Sequence, residues 1–90
     1  MKTSQLVFVI YKTTHSTCNK LISLSDYRVK DIESFNKLKR NFQPLIMKCS
    51  SCIEKVEPTL VDVYVTEGLS VKPVAENLPI EKFKDVQIDY

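Results

Sequence analysis

Ninety residues suffice for one domain, residues 1–90, and a chain this short buries only roughly 60–65% of its unfolded surface. A hydrophobic share of 43% and a charged share of 27% exclude a disordered chain, and no segment approaches the roughly 18 apolar residues that span a bilayer. The net charge of +2 is uneven: residues 1–53 carry nine Lys/Arg against three Asp/Glu, and residues 54–90 carry four against eight. Such a split fits a basic face for an acidic partner, or two ends of one fold that neutralise each other. Lysine outnumbers arginine 11 to 2, and glycine and alanine occur once each, a bias that matches an AT-rich coding genome such as a viral or phage one.

The opening "MKTSQLVFVIYKTTHS" holds an apolar run of only six residues, Leu6–Tyr11, with no small-residue cleavage site, so it is not read as a secretory signal. With an odd cysteine count of three, this predicts a reducing interior such as the cytoplasm. "QLVFVIYK" is apolar at successive positions and predicts a central strand buried on both faces. "NKLISLS" predicts a second strand, and the polar "TTHSTC" between them makes residues 5–25 a hairpin with "HSTC" at its tip.

"DYRVKDIESFNKLKRNF" predicts a long amphipathic helix over residues 26–42, capped by Ser25 or Asp26 and ended by Pro44. Ile32, Phe35, Leu38 and Phe42 form its apolar stripe, with Lys30, Lys37 and Arg40 opposite. "LIMKCS" predicts a strand running into "CSSC". "TLVDVYVT" predicts another, with Val61, Val63 and Val65 on one face and a solvent-facing Asp62 on the other. Gly68 marks a reversal into "LSVKPV", which Pro73 assigns to a sheet edge. "LPIEKFKD" predicts a short helix begun by Pro79, with Ile80 and Phe83 inward. The expected fold is therefore α+β: a small antiparallel sheet of about five strands packed on one long amphipathic helix, with a short second helix near the C-terminus.

The one histidine and three cysteines all fall in "HSTC" (15–18) and "CSSC" (49–52). Paired ligands two residues apart let a tight turn aim both side chains at one ion, and a structural zinc takes four such ligands in a tetrahedron. His15, Cys18, Cys49 and Cys52 would form a closed Cys₃His site. This arrangement resembles the paired knuckles of zinc ribbons, which implies one structural zinc. Two other readings stay open. The cysteines could be packed as small apolar residues beside a solvated His15, or "CSSC" could be a redox dithiol.

"LVFVIYKTTHSTC" and "EPTLVDVYV" are also similar to the active-site and Pro-Thr segments of thioredoxins. That resemblance implies a thiol–disulfide oxidoreductase in which Cys18 is the second active-site cysteine, His15 stands in place of the first, and Pro58 matches the cis-proline. Without a Gly-rich phosphate loop or a Ser-His-Asp set, no other catalytic pattern is visible. The expected function is a non-enzymatic interaction module. Lys30, Lys37 and Arg40, with Lys12, Lys20 and Lys39 nearby, form the candidate surface for nucleic-acid phosphates or a protein partner, with no membrane involvement.

Overall fold

The structure is a computed structural model that describes residues 5–49 and 54–88. Four strands form one antiparallel sheet: β1 (Val7–His15), β2 (Lys20–Ser25), β5 (Leu60–Glu67) and β6 (Ser70–Pro79), in the order β2-β1-β5-β6. A two-stranded ribbon, β3 (Met47–Lys48) with β4 (Lys55–Val56), lies beside β2. Helix α1 (Ile32–Arg40) and a 3₁₀ helix (Ile80–Asp85) complete the described elements.

This corrects the expected α+β fold. Strands make up 49% and helices 19% of the described residues, and among these no long helix backs the sheet. The expected helix over residues 26–42 shrinks to nine residues because the backbone of its first third is already engaged by β1. The Asp26 amide donates to the Val9 carbonyl at 2.8 Å, and the Val7 amide donates to the Lys30 carbonyl at 3.0 Å. A segment whose polar groups are satisfied by a strand has no need of a helix. The true cap is Asp31, whose carboxylate accepts from the Ser34 amide while the Ser34 hydroxyl accepts from the Asp31 amide.

Asp26 takes a different part. Its buried carboxylate accepts the Tyr11 hydroxyl and lies 2.7 Å from Arg28 Nη2 and 2.9 Å from Arg28 Nε. The same guanidinium donates to the Gln43 carbonyl at 2.7 Å, so one ion pair ties β1 to the chain on both sides of α1.

Strand β1 is central, as expected, but is buried on one face only. Val7, Val9, Tyr11, Thr13 and His15 point inward, while Phe8 is 44% exposed. The inward valines sit opposite Val65 and Val63, and Tyr11 opposite Val61, so period-two alternation in both strands builds one apolar wall. Against that wall pack Phe35 and Leu38 of α1, Met47 of β3 and Phe83 of the 3₁₀ helix. Phe83 meets Phe35 edge-on at 5.4 Å and stacks on Phe42 at 4.5 Å.

The other sheet face carries the Phe8–Tyr64 cross-strand pair, Phe8 exposed and Tyr64 half-buried. Asp62 on this face is buried rather than solvent-facing. It pairs with Lys12 Nζ at 2.9 Å and accepts the Asn77 amide at 2.8 Å, where β6 bulges. At the far end Gly68 adopts φ +63° in the two-residue turn joining β5 to β6. A turn that follows the strand twist needs positive φ at this first position. Gly68→Ala is expected to cost about 1 kcal/mol from that backbone strain alone, since open space surrounds the site; urea unfolding would measure it.

Candidate metal centre

Each side chain of the site is placed by ordinary strand physics. His15 is the last inward position of β1, so the alternation that buries Val7 and Tyr11 carries the imidazole into the end of the core. The chain then reverses through residues 16–19. The Asn19 amide closes the turn on the His15 carbonyl at 2.7 Å, and Asn19 adopts φ 54°, which its short polar side chain tolerates. Cys18, half-buried, sits on this turn.

From the other side, Met47 anchors β3 in the core and Cys49 follows two residues later, only 1% exposed. Its amide donates to the Glu54 carbonyl at 3.0 Å, extending the β3–β4 ladder by one rung. Two hairpins thus meet end to end, one bearing His15 and Cys18, the other Cys49.

One ligand atom from each of His15, Cys18 and Cys49 lies within 4.8 Å of the others, a group that could hold a metal ion. Cys49 Sγ stands 3.6 Å from Cys18 Sγ. The Glu54 carboxylate approaches His15 Nε2 at 3.1 Å. A carboxylate accepts at this distance, so Nε2 is the donor of this contact and Nδ1 is the ring nitrogen left for a metal.

Of the four ligands expected from sequence, three converge, and Cys52 lies outside the described residues. Glu54 was not foreseen. It stands 39 residues from His15 in the chain, and only the pairing of the ribbon brings the two together.

Lys37 and Arg40 lie on α1, but Lys30 precedes the helix, and Lys37 pairs with Glu33 at 3.6 Å. Lys39 donates to the Val86 carbonyl and sits 5.1 Å above the Phe35 ring, while Lys12 lies on the opposite face of the sheet beside Asp62. No helix of the described structure is long and apolar enough to cross a membrane.

Neither a family model, nor a curated protein, nor a solved structure matches this chain. Function must therefore be argued from the site itself.

Proposed function

We propose that this protein is a non-enzymatic interaction module whose fold is clamped by one structural zinc ion, held by His15 through Nδ1, Cys18, Cys49 and Cys52. The convergence of three soft ligands from two distant hairpins carries the reading. Two sulfurs each about 2.3 Å from one tetrahedral ion stand about 3.8 Å apart. The 3.6 Å between Cys18 and Cys49 sulfurs is close to that edge and far from a disulfide bond of about 2.0 Å. Cys52 supplies the fourth ligand in this reading because its spacing from Cys49 is that of a knuckle pair. A closed site of this kind leaves no position for substrate or water, so the ion stabilises and does not catalyse. Thiolate ligands carry with them a reducing compartment such as the cytoplasm.

An oxidoreductase is less well supported. The turn bearing Cys18 leads straight into β2, so no helix N-terminus stands behind its sulfur to activate it. The partner in this reading is a protein or the phosphates of a nucleic acid: Lys12 and Lys39 are held within the chain, whereas Lys37 keeps only an exposed pair with Glu33. Phosphate binding through Lys30, Lys37 and Arg40 would weaken steeply between low and high salt, and binding insensitive to salt would leave the protein partner.

Elemental analysis of the purified protein is expected to find one zinc per chain; a metal-free, folded and monodisperse protein would overturn the clamp. Glu54→Gln keeps a hydrogen-bond acceptor but removes the carboxylate charge behind the imidazole. It is expected to lower zinc affinity about 10-fold or more, measured by competition with a chromogenic chelator.

A further inference from the structure

We infer that Cys18 and Cys49 are a peroxide-responsive pair whose oxidation to a disulfide replaces the metal clamp by a covalent one. The two sulfurs are already in van der Waals contact at 3.6 Å, across 31 residues of chain. Forming the bond requires them to close by roughly 1.6 Å, to about 2.0 Å. The Cys18 turn can supply that shift, since it is a four-residue hairpin tip with no core side chain between His15 and Lys20 other than the half-buried cysteine.

Exposure assigns the order of events. Cys18 is half-buried and Cys49 almost fully buried, so a small oxidant reaches Cys18 first. The Cys18 thiolate attacks one peroxide oxygen, breaks the O–O bond and becomes a sulfenic acid, releasing hydroxide. The Cys49 thiolate then attacks that sulfur, forming the S–S bond and expelling the second hydroxide. Two protons convert both hydroxides to water, so two thiolates lose two electrons and one hydrogen peroxide gains them.

With two of its thiolates consumed, the ion is left with at most His15 and Cys52 and departs. The new bond still ties the β1–β2 tip to the end of β3, so the fold is kept while the metal leaves. The release half of this inference rests on the metal reading; the cross-link does not.

The experiment treats the purified protein with an equimolar amount of hydrogen peroxide, measures released zinc with a chromogenic chelator, and maps disulfides by non-reducing digestion. Trypsin frees residues 13–20 and 49–55, and fragmentation of the linked pair distinguishes Cys49 from Cys52. The expected product is a Cys18–Cys49 bond, with Cys52→Ser giving the same linkage. In Cys49→Ser, a dimedone-trapped sulfenic acid is expected on Cys18. The oxidised protein should melt on the order of 10 °C above the reduced, metal-free form, because the bond closes a long loop.

A Cys49–Cys52 or Cys18–Cys52 bond in the wild-type chain, an intermolecular dimer, or sulfinic acid without any cross-link would each overturn the proposal. Zinc present with no cross-link would defeat this inference and leave the clamp standing. A Cys18–Cys49 bond in a protein that never held zinc would defeat the clamp and leave the pair.

Discussion

Removing zinc from the loaded protein is expected to lower its thermal midpoint by on the order of 20 °C. At a free zinc concentration a thousandfold above Kd, binding to the native state alone contributes about 4 kcal/mol, and a domain of this length gains several degrees per kcal/mol. The effect would be large because an ion bound there would join two hairpins that, among the described residues, otherwise meet at this end through the His15–Glu54 and Cys18–Cys49 contacts. The β3–β4 ribbon is only two residues per strand, and its inward anchors are Met47 and Cys49. Cys49→Ser and Cys18→Ser should each reproduce the loss without chelator, and neither should retain zinc at one per chain. Differential scanning calorimetry with and without a chelator makes the measurement. A midpoint unmoved by chelation would mean that the cysteines are packed rather than ligating.

The second large effect concerns Asp26. Replacing it by alanine leaves the Arg28 guanidinium and the Tyr11 hydroxyl turned toward a vanished acceptor, and is expected to cost about 3 kcal/mol. Arg28 is about a third exposed, which keeps the figure at the low end of the range for breaking a buried pair.

The pH dependence follows from the same contacts. Burial by itself pushes the Asp26 carboxyl up, but the hydrogen bonds from Arg28 and Tyr11, with the Arg28 charge, outweigh it and hold the group below its ordinary value. Burial likewise pushes the Tyr11 hydroxyl up, reinforced by its bond to Asp26, so it stays protonated and donating. A carboxylate depressed on folding stabilises fully above its unfolded pKa of about 3.9, and that contribution fades as pH falls through the lower folded value. Urea midpoints measured from pH 6 down to pH 2 should fall for the wild type. Asp26→Asn should flatten the part of that fall due to this group; an unchanged slope would remove Asp26 from the account.

The strands were legible because their signal is local. Alternation in "TLVDVYVT" and the turn glycine at 68 stand on the page, and β5 and the β5–β6 turn follow from them. Helix α1 was legible in its middle, where Phe35 and Leu38 recur at helical spacing, and illegible at its start. Residues 26–31 have helix-compatible chemistry, yet β1 takes their backbone hydrogen bonds and Asp26 is claimed by Tyr11, fifteen residues earlier. No window along the chain contains that competition. It also turned a helix-backed α+β expectation into a sheet with a short helix. Asp62 was misread for the same reason, since Lys12 and Asn77, which surround it, come from other strands.

By itself the sequence determined which soft side chains are candidates, their spacing in two pairs, and the hairpin that presents His15 and Cys18, because spacing and turn chemistry are properties of neighbouring residues. Only the tertiary structure decided that Cys49 meets that hairpin tip and that Glu54 faces the imidazole. Those meetings depend on the register of β3 with β4 and on the packing of the ribbon beside β2, and register is set by what a whole sheet buries.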